Sequence, residues 1–371
     1  MLMVFLWTAL IAAFFYYFFV RPLSYWKDRG VKQGRPWWIF GDNWGTLFRV
    51  HSFADMIQYV YNQCPGTRYS GIYQFLLPTL LIRDPDLLKL VTVKDFDHFV
   101  DHRPFIPEEA DPLWGKNLFA LKGQKWREMR AILSPSFTTS KMKAMFVLMA
   151  ECAENFVQYF LEKDEDIIDV EMKNVCTRFS NDVIATTAFG IKVDSIREPN
   201  NEFYLMGKEA TNFAGFFTNL KILVYFFVPK LAGALGIRLF SKQVGDFFTN
   251  LVDKTVKMRE EKGIVRPDMI HLLMEARKGT LKYEENGIVD TGYATAQESD
   301  LVKNTNGKPP RNITNADIAS QALIFFFAGF DAVSNLMCFL SYELAVAPEI
   351  QDRLRKEVRE TSEECGGKTH L

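Results

Sequence analysis

Cysteine is scarce in this sequence, and neither sign of charge dominates. The cysteines are odd in number and widely scattered: Cys64, Cys152, Cys176, Cys338 and Cys365. This pattern excludes a disulfide framework and a paired-cysteine metal site. The net charge is −1, so no overall positive field points to nucleic acid as a partner. Hydrophobic residues make up 48% of the chain and charged residues 24%, which excludes a disordered protein.

Charge is absent altogether from Leu2 to Val20, a run of bulky apolar and aromatic residues. As a helix this run would be about 28 Å long, close to the roughly 30 Å of a bilayer's hydrocarbon core. No basic residue precedes it and no small residues close it, so we predict a retained anchor at residues 1–20 rather than a cleaved signal. Basic residues follow it, which places the rest of the chain in the cytosol by the positive-inside rule.

The remaining sequence reads as mostly α with a small β part. Residues 21–50 are predicted to form a basic, aromatic linker, and residues 51–371 the main domain. Two short apolar runs, Tyr69–Phe75 and Thr79–Arg83, predict a hairpin. The polar residues 279–312 are predicted to form a loop or insertion.

A long apolar helix is predicted at about 315–347, beginning at a capping box formed by Thr314 and Asp317. Because it is apolar nearly all round, it is either the buried axis of a large domain or a second membrane span. Asp331 lies near its middle and argues against the span. We expect a buried acid there, which needs either a function or a partner such as a distant arginine.

Two motifs carry a family resemblance. Residues 328–335 read AGFDAVSN and resemble the dioxygen-binding signature of the cytochrome P-450 family, the haem-thiolate monooxygenases. Residues 126–130 read WREMR and are similar to that family's W-x-x-x-R motif. Trp126 and Arg130 are four residues apart and share one helix face. Their indole N–H and guanidinium can both point at one haem propionate, although such a spacing also suits a surface cation–π pair.

The resemblance, which is greatest to insect microsomal members, implies a function and its parts. The reaction would insert one oxygen atom from dioxygen into a lipophilic molecule, with haem as cofactor and electrons from NADPH through a reductase. The protein would sit on the cytosolic face of the endoplasmic reticulum. Implied haem-binding residues are Trp126 and Arg130, and the implied catalytic residues are Ala328, Gly329, Asp331 and Ala332. The acidic reductase would dock near Lys122, Lys125 and Arg127, while Pro104–Phe119 and Phe203–Phe227 would face the substrate.

The sequence departs from the family pattern at two points. No cysteine stands in the haem-ligand motif F-x-x-G-x-R-x-C-x-G, and the E-x-x-R motif is missing. We therefore predict a chain truncated before the ligand cysteine, with no metal ligand of its own. Ala332 stands where the family has a threonine whose hydroxyl helps to deliver protons. The alternatives are a non-catalytic truncated or splice product and a two-span membrane protein.

Overall fold

A computed structural model describes residues 1–102, 111–137, 139–212, 215–266, 268–278 and 313–367. The predicted loop 279–312 lies outside these residues, as does part of Pro104–Phe119. The described chain divides into two compact units, Met1–Val100 and the part that begins at Asp101. Helices dominate, and one antiparallel strand pair lies in the first unit, which confirms a mostly α fold with a small β part.

The α-helices are numbered in chain order. They are α1 (Leu2–Phe15), α2 (Tyr25–Asp28), α3 (Trp44–Leu47), α4 (Phe53–Gln63), α5 (Pro85–Lys89), α6 (Pro112–Gly115), α7 (Gly123–Leu133), α8 (Thr139–Leu161), α9 (Met172–Ile184), α10 (Glu202–Ala210), α11 (Phe216–Phe227), α12 (Pro229–Ala234), α13 (Lys242–Lys262), α14 (Met269–Arg277), α15 (Asn315–Val346) and α16 (Pro348–Glu364). A π-helical turn, Ala185–Phe189, extends α9, and a 3-10 turn, Ser134–Phe137, follows α7.

The first unit begins with an exposed apolar helix. Helical structure runs without a break from Leu2 to Asp28, and no residue of its apolar window is buried by the rest of the protein. Its length and composition suit a membrane span, and among the described residues the same test is passed by α15. The predicted anchor is therefore available as a free apolar helix.

The strands of the first unit are β1 (Tyr69–Gln74) and β2 (Leu77–Ile82), paired antiparallel with Tyr69 opposite Ile82. This confirms the predicted hairpin. The segment 21–50 packs against it, because Trp26 Nε1 donates a hydrogen bond to the Ile72 carbonyl at 3.2 Å. The carboxylate of Asp42 accepts one from the backbone N–H of Tyr73 at 2.7 Å. Polar groups thus tie this segment to the hairpin.

The second unit is organised around the first half of α15. Every residue from Asp317 to Leu323 is buried, as are Phe326 and Phe330. The rings of Phe326 and Phe330 stack at 4.8 Å inside a cluster of buried aromatic side chains. This half is a core helix. The second half is different, since large apolar side chains are exposed there, including Leu336 and Phe339.

Local signals place several helix ends where the sequence predicts them. The Thr314 hydroxyl accepts a hydrogen bond from the Asp317 N–H, and the Asp317 carboxylate accepts one from the Thr314 N–H. Ser241 caps α13 in the same way through the Val244 N–H. Gly190 ends the π turn after α9 with a φ of 67°, a left-handed conformation that favours glycine.

Asp182 on α9 provides a pH-dependent contribution to stability. Its carboxylate accepts hydrogen bonds from the N–H and hydroxyl of Ser195, but burial dominates and raises its pKa to about 6 from 3.8. A raised pKa means that the folded protein holds this proton more tightly than the unfolded chain. The stabilising effect of this proton is therefore complete at pH values below the pKa of Asp182 in the unfolded chain. It is lost as the pH rises through the pKa of Asp182 in the folded protein.

We expect the free energy of unfolding to fall by about 2 kcal/mol between about pH 4 and pH 7 through this group. Asp182→Asn should remove that part of the pH dependence, because the amide does not ionise and its oxygen still accepts from Ser195. Urea unfolding of both proteins across this range measures the difference. If the free energy of unfolding had the same pH dependence in both proteins, groups other than Asp182 would cause the change.

Candidate functional site

Trp126 and Arg130 lie on one flank of α7. Both side chains are partly buried, and Trp126 packs against the main hydrophobic cluster. The neighbouring flank carries Met129, Ile132 and Leu133, which are buried in the core. The buried residues fix the rotation of α7, so the indole and the guanidinium share one partly open side. This confirms that the pair lies on a single helix face.

The turn that follows α7 contacts α15. The Ser134 hydroxyl donates a hydrogen bond to the Arg130 carbonyl at 2.9 Å, which starts the turn Ser134–Phe137. At the end of the turn the ring of Phe137 contacts that of Phe325 on α15, with centroids 5.6 Å apart. Phe325 precedes Ala328 by one helical turn. The turn therefore links the helix of Trp126 and Arg130 to the helix of the AGFDAVSN motif.

Small residues form an open strip on α15. Ala328 and Ala332 are both exposed, and they lie four residues apart on one face. Gly329 is partly buried and faces α9, since a Cβ built there would lie 2.9 Å from Ile184 Cδ1. The glycine thus permits the close approach of α15 to α9, and the helix continues through it without a break.

The structure corrects the expectation of a buried acid at position 331. The Asp331 side chain is 58% exposed, because the second half of α15 has one side open. It does have a partner, but this is a lysine rather than an arginine. Lys173 Nζ on α9 lies 2.6 Å from Asp331 Oδ1. The side-chain amide of Asn335 donates a second hydrogen bond, to Asp331 Oδ2, at 3.1 Å.

Two clefts lie near the segments that the resemblance assigns to the substrate. One, of about 260 Å³, includes Leu113 and Phe240 among its lining residues and reaches Ala316 on α15. The other, of about 240 Å³, lies between α10 and the start of α13 and includes Ala210 and Val244. Ala316 precedes Ala328 by 12 residues, which is about 18 Å along a helix. The 260 Å³ cleft therefore reaches the N-terminal end of α15, away from the small-residue strip, and the other cleft shares Phe240 and Ser241 with it.

Two of the cysteines have surroundings that are unfavourable for a metal-binding thiolate. Such a thiolate needs surroundings that lower its pKa, whereas burial raises the pKa of Cys152 and of Cys176 to about 11. Cys64 is buried in the first unit and Cys365 is exposed at the end of α16. Among the described residues, no group of three or more His, Cys, Asp or Glu side chains could hold a metal ion.

A family model described as Cytochrome P450 matches residues 32–366. The chain belongs to the cytochrome P450 family. It is 45% identical to Cytochrome P450 9e2 of Blattella germanica over 345 residues, which cover 89% of this chain and 62% of that protein. It is 37% identical to Probable cytochrome P450 9f2 of Drosophila melanogaster over 369 residues, covering 97% of this chain and 67% of the relative. The chain thus spans about two thirds of the length of these P450s.

Membership in the P450 family confirms the resemblance drawn from the AGFDAVSN and WREMR motifs, including its insect character. The roles of individual residues stay predictions. One polar contact of the motif helix was missed altogether, that of Lys173. Lys173 falls in the first turn of α9, where a cation is unfavourable, but that local signal does not identify its partner.

Proposed function

We propose that this P450 chain is the part of a haem-dependent monooxygenase that carries the dioxygen-facing helix and one edge of the haem site. The reaction would insert one oxygen atom from dioxygen into a lipophilic small molecule. The observation that supports the proposal is the ring contact between Phe137, at the end of the turn after α7, and Phe325, one helical turn before Ala328.

The residues of α7 fit the edge of a haem. Its propionates are carboxylates, and an arginine fork with an indole N–H supplies donors that match them. The buried flank of α7 holds the helix still, and the flank that carries Trp126 and Arg130 is only partly buried. Trp126 and Arg130 would thus hold and orient a propionate. None of the cysteines stands in the family's haem-ligand motif, so no step is assigned to one.

The residues of α15 would serve the dioxygen side. Bound haem supplies the oxidative chemistry. Ala328 and Ala332 are small, and their strip leaves room for a diatomic molecule against the helix. Gly329 would contribute through the close packing of α15 on α9. Asp331 is one residue from Ala332 and would hold the proton that the reaction consumes. Its exposure gives it a route to solvent for recharging.

The substrate would approach from the N-terminal end of α15. The two clefts there are bounded by Leu113 and by residues of α10 to α13, within or next to the segments assigned by the resemblance. Phe240 lines both clefts beside polar residues such as Ser241, and it would offer a lipophilic molecule an apolar contact.

The proposed electron donor is an NADPH-dependent reductase that docks near Lys122, Lys125 and Arg127. Lys122 and Lys125 are exposed around the Trp126/Arg130 helix, so an acidic partner would meet a basic surface beside the haem edge. We propose the endoplasmic reticulum membrane as the location, with the body in the cytosol. The support is the free apolar helix from Leu2, together with the basic residues that follow it.

We propose residues 1–20 as the anchor, 21–50 as the basic aromatic segment and 51–371 as the monooxygenase-like domain. The missing haem-ligand cysteine stays a prediction, with a non-catalytic truncated or splice product as its alternative. A two-span arrangement is less consistent with the packing of α15, because its first half is buried among protein side chains.

The absorption spectrum after reduction under carbon monoxide tests the function. We expect no thiolate-type band from the 371 residues expressed with haem supplied, because no cysteine is set as a ligand. A chimera that continues this chain with the corresponding segment of Cytochrome P450 9e2 should show the band and oxidise lipophilic substrates only with NADPH and reductase.

A band from the chain alone would make one cysteine the ligand, and Cys365→Ser would be the first variant to make. A haem-loaded chimera without oxygenation would contradict the proposed function.

Ala332→Thr should raise the product formed per NADPH consumed in that chimera. Alanine leaves the strip beside Asp331 without a hydroxyl, and a positioned proton donor is worth roughly 10²–10⁴-fold in rate. The parent chimera should therefore consume NADPH while releasing much of the oxygen as hydrogen peroxide. Product and peroxide are measured together, with haem content as the control. Unchanged coupling across several substrates would mean that another donor, such as ordered water, serves this position.

A further inference from the structure

Lys173 on α9 forms hydrogen bonds with three side chains of α15. Its ammonium lies 2.6 Å from Asp331 Oδ1, 2.6 Å from Asn335 Oδ1 and 2.9 Å from the Ser334 hydroxyl. These contacts span 158 residues of sequence from Lys173 to Asp331. All three donor positions of the ammonium are thus directed at one turn of α15.

The contacts fix both oxygens of the Asp331 carboxylate. Lys173 occupies Oδ1, and the amide of Asn335 donates to Oδ2. Because a lysine has no acceptor, it must face the amide oxygen of Asn335 and not its nitrogen. That requirement turns the amide N–H group toward Asp331. One ammonium therefore orients the carboxylate directly and also through Asn335.

Helix stability does not explain a lysine at this position. Lys173 is the second residue of α9, where the positive end of the helix dipole disfavours a cation. The side chains of Lys173 and Asp331 are 42% and 58% exposed, and exposed ion pairs add little stability. The backbone donors of this turn are already satisfied by Glu171, which accepts from the N–H groups of Lys173 and Asn174.

We infer that Lys173 is a positioning residue for Asp331, holding its carboxylate in one orientation so that the same oxygen carries the proton in every turnover. The inference rests on the proposed function, in which Asp331 serves the proton supply. Lys173 itself touches neither substrate nor haem in this assignment. Its effect on the reaction passes through the carboxylate alone.

The first test needs neither haem nor activity. Carbodiimide coupling of an amine to Asp331 is measured by mass spectrometry on the full chain, as Lys173→Met, Lys173→Arg and the parent protein. Labelling of Asp331 should rise several-fold in Lys173→Met, because Oδ1 loses its partner and the amide of Asn335 is no longer oriented toward Oδ2, and much less in Lys173→Arg. Lys257→Met is the matched control, since it removes an exposed lysine paired with Glu261 at 4.0 Å on α13. Equal labelling in Lys173→Met and the parent would overturn the inference.

The second test uses the haem-loaded chimera and separates the inference from the proposed function. Lys173→Met should lower the product formed per NADPH and raise the solvent deuterium isotope effect on product formation, with haem content unchanged and with rescue by Lys173→Arg. Lys257→Met should move none of these. If Asp331→Asn is impaired while Lys173→Met matches the parent, the positioning role alone is wrong. If Asp331→Asn also matches the parent, the proposed proton supply through Asp331 is wrong.

Discussion

Replacing Arg259 by Met should lower the free energy of unfolding by about 3–5 kcal/mol, the usual cost of breaking a buried ion pair. The guanidinium of Arg259 binds Asp268 in a two-pronged arrangement, with both nitrogen–oxygen distances at 2.7 Å. The two side chains are only 2% and 0% exposed. Methionine fills much of the same space but leaves the carboxylate buried, with Arg266 at 3.4 Å as its remaining cation.

Urea unfolding of the detergent-solubilised chain, followed by tryptophan fluorescence, measures this loss. The matched control is Arg197→Met, which breaks a more exposed pair with Glu162 and should change stability by at most about 1 kcal/mol. A second substitution, Asp268→Asn, should restore much of the loss in the Arg259→Met background. No charge then stays buried, and the amide oxygen can still cap α14 through the His271 N–H. Similar small losses in Arg259→Met and Arg197→Met would show that water reaches the buried pair.

This ion pair illustrates what sequence alone can and cannot predict. Gly190 is predictable as a helix-ending residue, because the signal is local to the helix it closes. Its second role is not predictable: a Cβ there would lie 1.9 Å from Arg259 Nη2 and 2.4 Å from Asp268 Oδ2. Those atoms come from residues 69 and 78 positions later in the chain. The glycine both ends one helix and makes room for a buried pair between two others.

The same division holds for the candidate site. The capping box at Thr314 and Asp317 and the shared face of Trp126 and Arg130 follow from spacings of three and four residues, so the sequence predicts them. The environment of Asp331 does not follow from α15 alone. A helix that is apolar all round predicts burial, but burial depends on which other elements pack against each face. Here one side of the second half is open, and the acid meets Lys173 from α9 instead of an arginine in the core.

The strip of small residues shows a further limit. Ala328 and Gly329 are adjacent in sequence, yet they face different surroundings: Ala328 is exposed, while Gly329 meets Ile184 on α9. A helix turns by about 100° per residue, so neighbouring motif positions point to different sides. The sequence motif treats Ala328 and Gly329 as one unit. In the structure Gly329 packs against α9, whereas Ala328 lies on the open face of α15.

Asp331→Asn should lower the rate of product formation in the haem-loaded chimera by about 10²-fold or more, the range measured for positioned proton donors. The amide keeps the size of the side chain and can accept from Lys173, so the fold and haem content should be unchanged. What it loses is the ability to take up and release a proton. NADPH consumption should fall less than product formation, because electron delivery does not pass through this side chain.

The control for that experiment is Asp352→Asn on α16, another exposed acid with a cationic partner, Arg355 at 2.9 Å. It removes the same charge from the surface and should leave the rate within about twofold, since exposed pairs are worth little. Product formation with a lipophilic test substrate, haem content and unfolding midpoints are compared for both variants. Equal rates in Asp331→Asn and Asp352→Asn would show that Asp331 has no role in the reaction and only pairs with Lys173 between α9 and α15. A large and selective loss in Asp331→Asn, at unchanged stability, would instead place the proton supply on this residue, because an exposed ion pair that only linked two helices could not account for it.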